Sequence, residues 1–264
     1  MGTEEDRSLP SFRRKPESSV FVAKKEKPLD SGFRRNDEQK QDAGLSKLLT
    51  WTSPSYPTGA FSYSHGLEWA VEVGDVRDVA TLVDYIDAVL ARGGGWIDAV
   101  LFARAYDCAH DAFAFDEIAD YAAAFRGSAE TALESHQQGA AFLAVTRRAW
   151  PHAQLEAFAE RRGDAPMAHS IAMALACAAH GIPRDVALSA WLHATAANLV
   201  SAGVRLVPLG QTDGQIATAR LASRIGAIAA DALDMSLDEL GTAAPLLELC
   251  SIRHETQYTR LFRS

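Results

Sequence analysis

Serine and histidine side chains crowd residues 59–66, where their spacing could support a nucleophile. Ser62, Ser64 and His65 all lie in this stretch. The nucleophilic serine of an α/β-hydrolase needs glycines two residues before it and two after it, on a sharp turn from a strand into a helix. Neither serine has that spacing, and no strand pattern precedes them. The stretch therefore does not predict a catalytic serine.

Histidines and carboxylates elsewhere give only fragments of a metal or acid–base site. His254 and Glu255 are not followed by the second histidine of an HExxH zinc motif. His65 and Glu68 are one helical turn apart, but two ligands do not complete a metal site. No GxxxxGK[ST] phosphate loop and no GxGxxG turn occurs. We expect no metal, no cofactor and no catalysis. The alternative is a small helical enzyme that uses His65 and Glu68, or His254, in a pocket.

The elements that must position these groups are helices, which the pattern indicates from Leu45 onward. Apolar residues recur at the i, i+3, i+4, i+7 spacing of an amphipathic helix. Asp78 is placed to cap one such helix, and a glycine triplet that starts at Gly93 should end it. No long stretch alternates with the period of a strand, so the sequence predicts an all-α fold in a single compact domain of about eight to ten helices. The clearest apolar run comprises Val79, Leu82, Val83, Ile86, Val89 and Leu90.

Composition divides the chain into three parts. Residues 1–44 mix basic and acidic side chains, hold few large apolar ones and show no periodicity. Such a segment cannot offset its ordering entropy, so we expect it to be disordered. We interpret it as a translated repetitive DNA element or as upstream sequence included by an early start codon, with a basic docking arm as the alternative. Residues 45–252 are expected to form the helical domain, and residues 253–264 a partner-binding tail.

Charge and hydropathy exclude several classes of function. The formal net charge of -8 argues against a nucleic-acid binder, which needs a basic face. Residues 186–204 are uncharged and long enough to span a bilayer, but they include His193 and Asn198, so we expect a helix buried in protein. The three cysteines are far apart, and no apolar leader is visible. These features predict a cytoplasmic protein without a membrane segment.

The tail carries residue types that dominate protein interfaces. Tyr258, Leu261 and Phe262 are anchors of the kind found in binding hot spots, and three arginines accompany them. These apolar residues are too few to pack independently. We therefore expect the tail to be mobile in the free protein and ordered on a partner, with an ordinary frayed tail as the alternative. Arg205, at the end of an apolar helix, is expected in an internal pair or as an interface anchor.

Four motifs, in this order, resemble the urease accessory protein UreF family. They occupy residues 48–68, 130–139, 205–215 and 253–264, and the resemblance runs from about Leu45 to Ser264. The first contains Ser53-Pro54, Gly59 and Phe61-Ser62-Tyr63-Ser64, and the last ends in Arg260-Leu261-Phe262-Arg263-Ser264. Four dispersed motifs are more specific than any one of them. Residues 1–44 match nothing in the family pattern.

The resemblance implies an all-α protein that dimerises and serves urease maturation without catalysis. It implies that the chain bridges UreD (also called UreH), the GTPase UreG and apo-urease so that nickel reaches the active site, and that it modulates the GTPase. The tail is expected to contact UreD/UreH, and residues 56–68 the GTPase. The residues expected to bind partners are Tyr56, Phe61, Tyr63, Glu68, Arg205, Gln211, Arg253, His254, Glu255, Tyr258, Arg260, Leu261, Phe262 and Arg263.

Overall fold

The computed structural model describes residues 42–264, and these residues form an all-helical domain. Within them there are eleven α-helices, two short 3-10 turns and no strand. The predicted all-α fold is confirmed, with one helix more than the upper number expected. The helices are α1 (42–51), α2 (Leu67–Glu72), α3 (Val79–Arg92), α4 (Gly94–Asp107), α5 (Ala112–Ala124), α6 (Ala129–Ala149), α7 (Ala153–Arg162), α8 (His169–Ala179), α9 (Arg184–Leu206), α10 (Gln211–Asp234) and α11 (Pro245–His254).

The boundary of the N-terminal segment differs slightly from the expected one. Residues 42–44, which were assigned to the disordered extension, belong to α1. The helix continues through Leu48 and Trp51, which are buried in the core. The prediction of disorder for residues 1–41 lies outside the described part of the chain.

Helix α8 forms the centre of the core. Its side chains from Ser170 to Cys177 are all buried, and it packs against both α4 and α6. Alanine supplies three of these eight positions, 172, 174 and 176, and Ala168 lies just before the helix. Such small side chains let the helix axes approach closely. Residues 186–204 lie inside α9, as expected, and α9 packs against α10. Among residues 42–264, no helix is long and apolar enough to cross a membrane.

The predicted cap and stop of α3 are both present. The Asp78 carboxylate accepts a hydrogen bond from the Thr81 amide at 2.9 Å, and the helix ends at Arg92. The glycine triplet does not open a loop, because α4 begins immediately at Gly94. Gly95 allows this close connection, since a Cβ there would lie 2.8 Å from the Val89 carbonyl oxygen. The start of α4 therefore lies against the end of α3.

A sharp turn before α2 brings it against α11. His65 and Gly66 both have left-handed backbones, with φ of 57° and 76°. The conformation is unusual for histidine and strained relative to glycine. Gly66 also approaches α11 closely, because a Cβ at this position would lie 2.8 Å from the Ser251 amide nitrogen. This contact places residues 62–68 beside the end of the chain.

Candidate functional site

Residues 255–264 fold back over the turn that precedes α2. The Arg263 amide donates to the Ser62 carbonyl oxygen at 2.8 Å, and the Ser64 amide donates to the Ser264 carbonyl oxygen at 2.9 Å. The Ser64 hydroxyl donates to the same Ser264 oxygen. Ser64 and Ser264 are both fully buried. The tail is thus joined to the body by backbone hydrogen bonds.

Glu68 holds the tail from inside. Its buried carboxylate accepts hydrogen bonds from the Leu261 amide at 2.7 Å and the Phe262 amide at 2.9 Å, and it faces the His254 Nε2 at 3.0 Å. A buried carboxylate is costly unless its oxygens find donors. Here two of those donors come from the tail backbone, so the tail satisfies a charge that the body would otherwise bury alone.

His254 connects the same tail to α6. The imidazole is fully buried, and its Nδ1 lies 2.7 Å from Glu130 Oε2 while its Nε2 faces Glu68. Both ring nitrogens can donate only in the doubly protonated form; otherwise a carboxylate must carry the proton. Arg260 Nη1 completes the network by donating to Glu130 Oε1 at 2.8 Å and to the His254 carbonyl oxygen at 3.3 Å. The geometry gives these groups an internal, structural role.

A second pair of contacts extends this network toward the turn. The Ser264 hydroxyl donates to Glu134 Oε2 at 2.7 Å, and His65 Nδ1 lies 3.6 Å from the same oxygen. Burial alone would lower the pKa of His65, but the neighbouring carboxylates, Glu134 first, outweigh burial and raise the pKa above its ordinary value. Glu130 and Glu134, one turn apart on α6, therefore both hold the tail.

Arg205 lies between two aromatic rings, which stabilise its charge within the domain. Its guanidinium carbon is 3.6 Å from the centre of the Phe61 ring and 4.4 Å from that of Phe262. Its Nη1 donates to the Phe61 carbonyl oxygen at 3.0 Å. Desolvation lowers the pKa of Arg205. Within the domain, Arg205 contacts ring faces and not a carboxylate, and its role as an interface anchor stays a prediction.

The expectation that the tail is mobile in the free protein is therefore revised. The tail is packed on its own domain, with Phe262 only 3% exposed. The prediction counted the apolar residues of the tail and missed the buried acceptors that its backbone would satisfy. Phe262 is revised from a partner anchor to an internal one.

Of the fourteen residues expected to bind partners, five are buried, Arg205 is half-buried and the others are exposed. Buried side chains can support a binding surface in this conformation but cannot form it. The buried ones include Tyr56, whose hydroxyl lies 2.8 Å from Thr146 Oγ1, and Tyr63, whose hydroxyl donates to Gln137. The buried set is Tyr56, Tyr63, Glu68, His254 and Phe262, and the exposed set is Phe61, Gln211, Arg253, Glu255, Tyr258, Arg260, Leu261 and Arg263.

Two features of the exposed surface matter for binding, and the sequence reasoning missed one of them. Tyr258 is fully exposed and Leu261 is 65% exposed, as anchors for a partner should be. The missed feature is an apolar stripe on α11 formed by Leu246, Leu249 and Ile252, all exposed. Their three-residue spacing could have indicated it. We call these five residues the tail surface.

Comparisons with known proteins identify the family of this chain. A family model described as UreF matches residues 76–222. The urease accessory protein UreF of Granulibacter bethesdensis is 51% identical over 225 residues, which cover 84% of this chain and 95% of that protein. The chain belongs to the UreF family.

Two further relatives extend the match to UreF proteins of other bacteria. The UreF of Rhodopseudomonas palustris strain TIE-1 is 48% identical over 227 residues, covering 85% of this chain and 94% of that protein. The UreF of Bradyrhizobium diazoefficiens is 44% identical over 227 residues, covering 85% of this chain and 93% of that protein. The resemblance drawn from the four motifs is confirmed. UreF membership supports a role as a urease accessory protein.

Proposed function

We propose that this chain is a non-catalytic urease maturation factor that works as a homodimer in the cytoplasm. It bridges UreD/UreH, the GTPase UreG and apo-urease so that nickel is inserted into the urease active site, and it modulates the GTPase. UreF family membership supports the urease role. The observation that carries the binding role is a tail fixed to the body by Glu68 that still exposes Tyr258 and Leu261.

The tail surface is proposed to bind UreD/UreH. Because the backbone at residues 261 and 262 is already held by Glu68, little conformational entropy remains to be lost when a partner docks. The apolar stripe of α11 runs directly into the tail and enlarges the area available. The exposed Arg253 and Arg263 lie beside it and favour an acidic partner surface, mainly by accelerating association.

A second surface is proposed to meet UreG. Phe61 is 64% exposed, and Arg205 covers one face of its ring. Gln211, exposed at the start of α10, follows Arg205 along the chain. An exposed aromatic ring stiffened by a stacked guanidinium is a suitable interface anchor. The two surfaces are connected inside the protein, since Arg205 also contacts Phe262.

The experiment replaces surface anchors without disturbing the internal network. In the Tyr258→Ser, Leu261→Ser double variant, we expect capture of purified UreD/UreH to weaken at least tenfold, since a buried hot-spot side chain contributes about 2 kcal/mol or more. Melting temperature should stay unchanged because both side chains are exposed. Phe113→Ser, at an exposed aromatic residue on α5, is the control and should bind normally. Undiminished capture by the double variant contradicts the proposal.

A further inference from the structure

A cavity of about 370 Å³ opens between the turn at His65, the start of α4 and the start of α6. Glu248, from the first turn of α11, lines it together with Phe125 and Arg126. None of its lining residues belongs to the tail surface. Its volume falls in the range of cavities that hold a small organic molecule or a long side chain, and it is far larger than a single metal ion requires.

The charges around this cavity do not balance within the described part of the chain. Arg126 donates to both oxygens of Asp98 at 2.8 Å, and His65 lies beside Glu134. Those contacts pair two bases with two carboxylates. Glu248 forms no ion pair with the described residues, and its buried Oε2 has no hydrogen-bond partner among them. One carboxylate is therefore left over, inside a recess where solvation is reduced.

Gly127 makes the position of this carboxylate specific. A Cβ at Gly127 would lie 1.3 Å from Glu248 Oε2 and 2.0 Å from its carboxyl carbon. The absence of a side chain at residue 127 thus makes the space that the Glu248 carboxylate occupies. Phe125 and Thr242 also line the cavity.

We propose that this cavity binds a monovalent organic cation, an alkylammonium or alkylguanidinium group, with the Glu248 carboxylate as its counter-ion. One positive charge neutralises the uncompensated carboxylate, and an aromatic residue, Phe125, is among the residues that line the cavity, which suits a cation. A divalent metal fits less well, because among residues 42–264 no group of three His, Cys, Asp or Glu side chains is arranged so that it could hold a metal ion. The cation belongs either to a free small molecule or to a Lys or Arg side chain of a protein. The proposal does not rest on the urease role.

The test titrates the full-length protein with ethylguanidinium chloride, and with ethylurea as an uncharged probe of similar shape, at constant ionic strength. Amide shifts of Gly94 and Gly127 report occupancy of the cavity. We expect saturable binding of ethylguanidinium, at least tenfold stronger than that of ethylurea. Glu248→Gln should abolish this preference, whereas Glu72→Gln, at an exposed carboxylate on α2, should keep it. Equal binding of both probes, or a preference that survives Glu248→Gln, overturns the proposal.

A second variant tests the proposal independently, in case Glu248→Gln does not fold. Gly127→Ala should displace the Glu248 carboxylate, which is the mobile end of a side chain, and weaken ethylguanidinium binding to a similar extent. Unchanged binding by a folded Gly127→Ala protein also contradicts the proposal. The source of the cation is identified by adding ethylguanidinium to complexes of this chain with UreD/UreH or UreG. Competition, together with weaker partner binding by Glu248→Gln, supports a protein side chain. Binding of the probe without competition supports a free small molecule.

Discussion

Replacing Glu68 by glutamine removes the charge that holds the tail and keeps the volume of the side chain. The carboxylate accepts hydrogen bonds from the Leu261 amide at 2.7 Å and the Phe262 amide at 2.9 Å, and it lies 3.0 Å from His254 Nε2. A glutamine has one acceptor oxygen, so its NH2 group must face at least one of these donors. The substitution therefore leaves a buried donor without an acceptor and leaves His254 with one carboxylate instead of two.

The size of the effect follows from these contacts. Hydrogen bonds to a charged group contribute about 1.5–3 kcal/mol each, and removing one partner of a buried ion pair costs about 3–5 kcal/mol. We expect the tail to be weakened by about 3 kcal/mol, which corresponds to about a hundredfold faster amide exchange. The fall in global stability can be smaller, because the tail can detach while the helices stay folded.

Hydrogen exchange followed by NMR measures this directly at the Leu261 and Phe262 amides. Exchange at Leu175, in the centre of α8, should change little, which separates release of the tail from general destabilisation. Glu72→Gln, on the same helix but exposed, is the matched control and should leave both tail amides protected. Tail amides in Glu68→Gln that exchange within threefold of the wild-type rate would refute the role given to this carboxylate.

Two further predictions concern the stability of the domain. Gly66→Ala should lower the free energy of unfolding by about 3 kcal/mol, because its positive φ adds to a clash with the Ser251 backbone, whereas Gly74→Ala, with a similar φ and open space, should cost only about 1 kcal/mol in urea denaturation. Burial lowers the pKa of His169 from 6.5 to about 4. The native state therefore favours the neutral ring. The resulting contribution to the free energy of unfolding is present at neutral pH and is lost as pH falls from about 6.5 toward 4, by about 3 kcal/mol at pH 4. When the free energy of unfolding is measured against pH, it should fall less steeply in this window for His169→Gln than for the wild type. A curve that matches the wild type contradicts the assignment to His169. So does an equally shallow curve for His193→Gln, the control at an exposed histidine.

The helical scaffold could be predicted because its signals are local. The spacing of Val79, Leu82 and Ile86 indicates one buried helix face, and the cap at Asp78 marks where that helix begins. Both depend only on residues a turn or two apart. The four motifs were also visible as a sequence pattern, so the family could be inferred before any contact was known.

The arrangement of the site could not be predicted, because it joins residues that are far apart in the chain. Glu68 and Phe262 are separated by 194 positions, and no spacing rule links a carboxylate to a distant backbone amide. The tail therefore looked too poor in apolar residues to pack. His254 looked like a fragment of a metal motif, whereas its neighbours are Glu68 and Glu130. Whether a buried polar group finds a hydrogen-bond partner depends on the tertiary fold, whereas helical periodicity is visible in the local sequence.

Reconstituted urease maturation tests the central proposal most directly. Purified apo-urease is incubated with nickel, GTP, UreD/UreH and UreG, with or without this chain, and bound nickel and urease activity are measured together. We predict that both rise when the chain is added and that the folded Tyr258→Ser, Leu261→Ser variant does not support them. Equal nickel content and activity without the chain, or full activation by that variant, would contradict the proposed role of a maturation factor that acts through its tail surface.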